Sequence, residues 1–439
     1  MARRVIARRA VLAFTLSAAV SRAMARRPYG GVLRLELPLS LDAVDPHSAD
    51  DPSSALFSSL IADPLFALDA AGRPYPALAA AHPAPVTGGA RVVLRPGLVT
   101  ARGQRLTARD VIASLERARG LGGRASLAPF GAFRAVSGDA LAVDVEGATP
   151  DTLAKALAGA TTAILPKTFR PSEPDGTGAF RAGKVSGGVT FERNERAARG
   201  PSYLDRVEVR RAVDLAEGLR AFESGDADVG FLGAGLHRRR ALAVDFRTEP
   251  FGFVVLRTGP LAGAWGAPGV AARLVSGVDA SRFSHLGLAP HGGGAPAPWG
   301  GAPADVLVDQ GSPYLVELAG VVAAALSDKG HELRPAPLPE ADLRAHRVNG
   351  KFALAVDFVR RLGPTREQGL LSLLAGADPK LADRPPGFAS LDADALTRTL
   401  PLAVLGELAM TGARMPEFHG IEQWDLGAVF VSSNLVTPP

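Results

Sequence analysis

The sequence predicts an α/β protein of more than one domain, and three observations support this prediction. The chain has 439 residues, which at roughly 100 to 200 residues per domain corresponds to about two or three domains. Hydrophobic residues make up 47% of the chain, so each domain can bury a core of its own. Between residues 305 and 334 a strand pattern, a helix pattern and a second strand pattern follow one another. This order is typical of a right-handed parallel crossover in an α/β layer.

The first 25 residues have the three parts of an export signal. A basic start precedes the apolar stretch Ala10–Val20, which is too short to anchor a protein in a bilayer, and the small residues Ala23 and Ala25 follow. We expect residues 1–25 to be a signal peptide cleaved after Ala25, which places the mature protein in the periplasm. The pair Arg8-Arg9 leaves both the general secretory and the twin-arginine export routes open.

The positive charge of the chain is concentrated in this leader. The whole chain has 49 basic and 44 acidic residues, and residues 1–25 contain five arginines and no acidic residue. The remainder is formally neutral, which is not the charge pattern of a protein that binds phosphate backbones. We therefore expect no nucleic-acid partner. The chain contains no cysteine, which excludes disulfides, thiolate nucleophiles and cysteine-bound metals.

The first part of the mature chain alternates predicted strands with predicted helices. Val32–Leu37 alternates apolar and polar residues as a half-buried strand does. Thr107-Ala-Arg-Asp110 has the form of a capping box, and the apolar residues Val111, Ile112 and Leu115 then recur at helical spacing. The other elements predicted here are a short capped helix over 53–61 and strands over 91–94 and 140–145.

A second α/β region is predicted in the later part of the chain. Asp305–Asp309 has the composition of a buried strand. Ser312 is expected to cap the helix that follows, and Gly330 is expected to end it. The next strands are predicted over 332–334 and 352–356. We interpret the Gly- and Pro-rich stretch 289–303 as a surface loop within one domain.

The sequence contains no recognisable catalytic constellation. The serine-hydrolase motif Gly-x-Ser-x-Gly is absent, and Gly176-Thr-Gly178 is too short for a dinucleotide-binding or phosphate-binding loop. The histidines do not follow the His-Glu-x-x-His pattern of a metal site. They are His47, His82, His237, His285, His291, His331, His346 and His419. We therefore expect no enzymatic activity, no cofactor and no bound metal, and a function in binding.

Several segments follow one another in a family-specific order. Leu94-Arg-Pro-Gly97 and then Gly103–Val111 are similar to the pattern "LR-x-G-x-x-F-x-x-G-x-x-x-x-A-x-DV". The other segments are Leu41–Pro46, Ile61–Gly72, Pro76–Ala79, Gly176–Phe180, Arg193-Asn194, Tyr203–Asp205 and Ser224–Asp228. Together they resemble the peptide/nickel (oligopeptide-binding, family 5) solute-binding proteins of ABC transporters. The later half is similar only over 306–333 and Leu400-Pro-Leu402, and the region 253–283 departs from the family pattern.

The resemblance implies a two-lobed periplasmic-binding-protein fold of type II with an extra inserted domain. Lobe I would consist of residues 28–62, 163–247 and 415–439. The inserted domain would be 63–162, and lobe II would be 248–414.

It also implies a function. Such a protein would bind a peptide or similar small polar solute between its lobes and deliver it to an ABC transporter permease in the inner membrane, and we expect it to act as a monomer. The alternatives are a non-peptide or metal-chelate ligand, a degenerate member that acts as a sensor or structural partner, and an exported hydrolase.

The resemblance finally implies two site residues. Peptide-binding members carry a "W-x-x-D-Y" segment whose Asp pairs with the α-ammonium of the ligand. The segment Leu354-Ala-Val-Asp-Phe358 places Asp357 on the acid and Phe358 on the aromatic position, with Leu354 in place of Trp. A carboxylate at the mouth of a cleft can hold an ammonium through charge-assisted hydrogen bonds. The alternative for Asp357 is a strand-end carboxylate that caps the next turn, and the nearby Arg360 and Arg361 equally favour an anionic ligand.

Overall fold

The computed structural model describes residues 29–432 apart from positions 70, 186, 232–239, 241, 291–296, 364 and 379–398. The predicted signal peptide, residues 1–25, lies outside the described residues. So do parts of the predicted loop 289–303 and of lobe II.

Strands and helices alternate along the described chain. The strands are β1 (Val32–Leu37), β2 (Phe66–Leu68), β3 (Pro74–Pro76), β4 (Ala84–Val86), β5 (Gly89–Val93), β6 (Phe133–Ala135), β7 (Ala142–Glu146), β8 (Phe180–Val185), β9 (Gly188–Arg193), β10 (Arg206–Arg211), β11 (Val229–Phe231), β12 (Val244–Arg247), β13 (Gly252–Thr258), β14 (Ala289–Pro290), β15 (Ala304–Asp309), β16 (Leu333–Leu338), β17 (Leu354–Arg360), β18 (Leu402–Leu408), β19 (Thr411–Arg414), β20 (Phe418–His419) and β21 (Phe430–Val431). The α-helices are α1 (Pro52–Ile61), α2 (Ala108–Arg119), α3 (Arg124–Leu127), α4 (Pro150–Ala156), α5 (Leu215–Ser224), α6 (Val270–Ser276), α7 (Pro313–Leu326), α8 (Glu340–Val348) and α9 (Arg366–Ala377).

A large mixed sheet has β1 at its centre. Among the described residues its strand order is β12-β19-β11-β1-β10-β9-β8, and β1 is parallel to both β10 and β11. The predicted strand Val32–Leu37 is confirmed, because Leu33, Leu35 and Leu37 are buried while Arg34 is exposed on the opposite face.

The strands of a smaller antiparallel sheet lie, along the chain, between β1 and β8 of the large sheet. Its described order is β4-β5-β7-β6, and α2 packs on β6 and β7. The predicted capping box is confirmed, because the Asp110 carboxylate accepts a hydrogen bond from the backbone N–H of Thr107 at 3.0 Å. Val111 and Leu115 then enter a core that is separate from those of the large sheets.

A second large sheet has the described order β14-β18-β13-β17-β15-β16. β15 is parallel to β16 and to β17, and α7 connects β15 to β16, as predicted for a parallel crossover. Strand β17 begins two residues later than predicted and continues to Arg360. It does so because its antiparallel pairing with β13 runs over all seven residues of both strands.

Helix α7 differs from its prediction at both ends. Ser312 precedes the helix, but its hydroxyl has no hydrogen-bond partner in the described structure and does not cap it. The helix ends at Leu326 and not at Gly330. The Ser327 hydroxyl causes the earlier end, because it donates to a carbonyl of the last turn at 2.7 Å and accepts from the N–H of Leu333 at 2.9 Å.

The two large sheets share one hydrophobic core. Tyr314 of α7 lies at their contact: its backbone N–H donates to Pro38 O at 3.1 Å, and its ring centroid lies 5.9 Å from that of Phe231. Its hydroxyl donates to Leu286 O at 2.7 Å. We propose that the three sheets mark lobe I, the inserted domain and lobe II, with the boundaries predicted above.

Candidate ligand-binding cleft

A cleft of about 470 Å³ lies where the three sheet-containing units meet. Its wall is formed by the segment before α1, by the turn between α2 and α3, and by residues around the second large sheet. The lining residues are Asp45, His47, Ser48, Ala49, Asp50, Gly120, Leu121, Gly122, Arg124, Arg257, Thr258, Arg344, Arg347, Val348, Phe352, Phe358, Val359, Arg360, Leu362, Ser372, Ala375, Gly376, Ala377 and Pro401. A volume of this size is within the range of about 300–1,000 Å³ found for small-molecule sites.

The segment 45–50 reaches the cleft because α1 holds its end. Asp51 caps α1 by accepting hydrogen bonds from the N–H groups of Ser53 and Ser54, at 3.0 and 2.9 Å. Burial raises the pKa of Asp51 to about 6. The cap fixes the start of α1 directly after the residues that line the cleft.

An ion pair and a neutral histidine form one side of the cleft. Arg117 of α2 donates two parallel hydrogen bonds to Asp45, at 2.9 and 2.6 Å. Nη1 of Arg117 also lies 2.9 Å from Nδ1 of His47, while Nε2 of His47 lies 2.8 Å from the carbonyl of Ala163. This geometry requires the tautomer with hydrogen on Nε2. Burial lowers the pKa of His47 to about 4, so the ring is neutral at pH 7.

Asp357 and two arginines form a buried network on the other side. The Oδ2 atom of Asp357 accepts hydrogen bonds from Nε of Arg257, at 2.7 Å, and from Nη1 of Arg347. Arg347 uses its Nη2 to reach Oδ2 of Asp50 at 2.6 Å, and Arg344 reaches the other oxygen of Asp50 at 3.3 Å. Burial raises the pKa of Asp50, but Arg347 and Arg344 outweigh this effect and hold it below its usual value.

Of the two residues predicted to bind ligand, Asp357 lies behind the cleft wall and Phe358 is among the residues that line it. The Asp357 side chain is only 4% exposed and its carboxylate is occupied by the two arginines. The Phe358 ring is fully buried and packs against Phe251, with ring centroids 5.8 Å apart. The prediction that these residues contact a solute stays a prediction.

Arg360 ties β17 to the segment before α1. Its guanidinium donates to Pro46 O at 2.9 Å and to the Ser58 hydroxyl at 2.6 Å, and its backbone N–H donates to Ala49 O at 2.7 Å. Burial lowers the pKa of Arg360 to about 10, which leaves the group charged at neutral pH. Arg361, the other arginine named in the sequence analysis, is not among the lining residues. Its Nη1 atom lies 3.5 Å from Oε1 of Glu407.

Sequence reasoning named Arg360 but missed Arg257 and Arg347, which also line the cleft. Arg257 comes from the region 253–283, which departs from the family pattern, and Arg347 lies on the polar face of a short helix. No local motif marks either residue, and the ion pair of Arg347 with Asp50 spans 297 positions of the chain.

The comparison with protein families decides what kind of protein this is. Residues 73–239 match the family described as bacterial extracellular solute-binding proteins, family 5 middle. Over these residues the chain is similar to family 5 of the solute-binding proteins. A search of curated proteins found no match.

Solved structures of binding proteins show that their fold extends over nearly the whole chain. The oligopeptide-binding protein AppA from Bacillus subtilis, described in complex with a nonapeptide, has a TM-score of 0.70 at 14% identity, covering 93% of this chain and 100% of AppA. AgaA from A. tumefaciens R10, in complex with agropinic acid, has a TM-score of 0.70 at 17% identity, covering 91% and 99%. NikA from Staphylococcus aureus, in complex with Ni(L-His)2, has a TM-score of 0.68 at 14% identity, covering 91% and 99%. The predicted two-lobed α/β fold is confirmed by these similarities.

A family 5 solute-binding protein acts by binding and not by catalysis, as predicted for this chain. Within the described ranges, no three His, Cys, Asp or Glu side chains cluster so that they could hold a metal ion. No helix in the same residues has the length and apolar composition needed to span a bilayer.

Proposed function

We propose that this protein is the solute-binding component of an ABC importer. It would be exported to the periplasm, bind a small polar solute in the cleft and deliver it to a permease in the inner membrane. The observation that carries the proposal is the position of the cleft, whose wall combines residues before α1, residues after α2 and residues of the second large sheet.

A solute in this position would favour closure of the lobes. It adds contacts to two units at once, and contacts that exist only in the closed form shift the population towards that form. The closed and open forms then differ in shape, and a permease can distinguish the two forms by this difference.

The size of the cleft favours a small solute. Its volume of about 470 Å³ lies in the lower half of the range of small-molecule sites. The similar structures are described with a peptide, an opine acid and a nickel chelate, so the fold is compatible with several solute classes. A short peptide or a non-peptide of similar size is consistent with this volume.

The proposal is tested on the mature protein incubated with the low-molecular-mass fraction of a bacterial extract. Native mass spectrometry should detect one bound solute per chain, and small-angle scattering should detect a decrease in the radius of gyration. Val348→Trp places a large side chain at a cleft-lining position that is 80% exposed, and it should weaken binding at least tenfold. Val213→Trp is the matched control, because Val213 is 72% exposed and does not line the cleft. A protein that binds no solute and keeps its radius of gyration contradicts the proposal.

A further inference from the structure

The carboxylates and the guanidinium groups that line the cleft differ in how fully their hydrogen-bonding positions are occupied by the protein. Among the described residues, five arginines and two aspartates line it. Asp45 is paired with Arg117 through both oxygens, and both oxygens of Asp50 accept hydrogen bonds from Arg347 and Arg344. The negative charges of the lining are therefore already matched by protein cations.

Two of these arginines, Arg257 and Arg344, in contrast keep a donor without a hydrogen-bond partner among the described residues. Arg257 donates from Nε to Asp357 and from Nη1 to Gly376 O at 2.6 Å, while its Nη2 has no hydrogen-bond partner among the described residues. Only 8% of Arg257 is exposed, so few water molecules can reach it. Because Arg257 lines the cleft, a solute can reach this donor, and the natural partner of a guanidinium donor is an oxyanion. Arg344, which is half exposed, also has an Nη1 without a protein partner in the described part of the chain.

The cleft also has an apolar surface. Leu121, Val348, Phe352 and Pro401 line the cleft together with alanines of the last turn of α9. This surface gains free energy by contact with an apolar part of a solute.

We infer that the solute is an organic acid whose carboxylate accepts hydrogen bonds from Arg257 and whose apolar part packs against Leu121, Val348 and Phe352. The inference rests on the proposed function and names its solute class. Asp357 and the carbonyl of Gly376 act as positioning groups, because they hold Nε and Nη1 of Arg257 and leave Nη2 for the solute. A free ammonium has no comparable place, since both lining carboxylates are occupied by arginines.

The test uses a bacterial metabolite extract separated by ion exchange at pH 7 into anionic, neutral and cationic fractions. Each fraction is added to the mature protein, and the melting temperature is measured. The anionic fraction alone should raise it, and the effect should disappear after the carboxylates of that fraction are converted to methyl esters. Stabilisation by the neutral or cationic fraction alone, or by an esterified fraction, overturns the inference and leaves the proposed function standing. Stabilisation by no fraction overturns both.

Two variants connect the result to the arginines. Arg257→Lys keeps the charge beside Asp357 but removes the Nη2 donor, and it should weaken binding of the active acid at least tenfold. Arg344→Gln removes the second donor at a half-exposed position of α8, where exposed ion pairs contribute little to stability, and it should weaken binding about threefold or more. Arg366→Lys, at an exposed residue that does not line the cleft, is the control and should bind as the unchanged protein does. Equal affinity in all three variants overturns the assignment.

Discussion

Replacing Asp357 by asparagine removes the charge that compensates two arginines in the wall of the cleft. Arg257 is buried and depends on this carboxylate alone for an ion pair among the described residues. Arg347 retains its second partner, Asp50. The substitution therefore leaves one buried cation without an anion, and the asparagine amide oxygen can replace only part of the lost interaction.

The expected loss follows from this geometry. Breaking a buried ion pair by removing one partner costs about 3–5 kcal/mol. Because the introduced asparagine would still accept one hydrogen bond and Arg347 stays paired, we expect the lower end, about 3 kcal/mol, for the unit that contains the second large sheet. For a unit of this size that loss corresponds to a fall in melting temperature of roughly 6–12 °C.

Tryptophan fluorescence during urea unfolding measures this loss. Trp265 and Trp299 have ring centroids 5.1 Å apart, and both pack against the core that the second large sheet shares. The third tryptophan, Trp424, packs against the same core, so the fluorescence follows unfolding of the two large sheets that share it. Asp305→Asn is the matched control on the neighbouring strand β15, because Asp305 is exposed, and it should change the free energy of unfolding by less than about 0.5 kcal/mol.

Two outcomes decide between the roles considered for Asp357. A double variant, Asp357→Leu with Arg257→Met, should recover at least half of the lost stability, since a buried pair can be replaced by packed apolar residues. If Asp357→Asn instead unfolds like the unchanged protein and loses only solute binding, the positioning role is refuted and the carboxylate binds the solute directly.

Three further predictions concern other parts of the molecule. Burial lowers the pKa of His47 to about 4 in the folded protein. Its contribution to the free energy of unfolding is therefore complete above the unfolded pKa of about 6.5 and decreases by about 3 kcal/mol as the pH falls towards 4. His47→Gln should remove this part of the pH dependence, measured by urea titrations at several pH values. Asp110→Ala removes the acceptor of the Thr107 capping interaction and should destabilise the four-stranded unit by about 1–2 kcal/mol, measured by calorimetry as a shift of one transition. At Gly178 a Cβ atom would overlap with the backbone carbonyl of Leu60. Gly178→Ala should therefore lower the free energy of unfolding by about 1–3 kcal/mol, measured by chemical denaturation. An unchanged denaturation midpoint would show that the backbone moves aside without cost.

The elements predicted correctly are those whose signals lie within a few neighbouring residues. The alternation of Val32–Leu37 and the capping box at Thr107 depend on period and on local hydrogen bonds, and both are confirmed. The predicted end of α7 is wrong because a serine hydroxyl, which bridges the last turn of the helix to β16, stops the helix before the glycine does. Such a contact depends on where the next strand lies, which the helix sequence does not contain.

The ion pairs of the cleft could not be predicted from the sequence either, because they join residues that are far apart in the chain. Asp50 and Arg347 are separated by 297 positions, and Arg257 and Asp357 by 100. Arg257 meets Asp357 only when β13 pairs with β17, and Asp50 meets Arg347 only when the segment before α1 packs against α8. A family resemblance could point to Asp357, but it could not show that arginines of this particular chain occupy the carboxylate.

The hydrogen bonds of Arg360 determine which nearby positions can vary in evolution. Its guanidinium and its N–H reach the backbone carbonyls of Pro46 and Ala49, and a carbonyl persists whatever side chain the residue carries. The segment before α1 can therefore exchange side chains while keeping its connection to β17, whereas Arg360 itself has no substitute that reaches the same acceptors. In related sequences that share this arrangement, we expect the arginine to be invariant and the segment before α1 to vary. Ser58 accepts a hydrogen bond from Arg360 through its side chain, at 2.6 Å, so we expect Ser58 to change only together with Arg360.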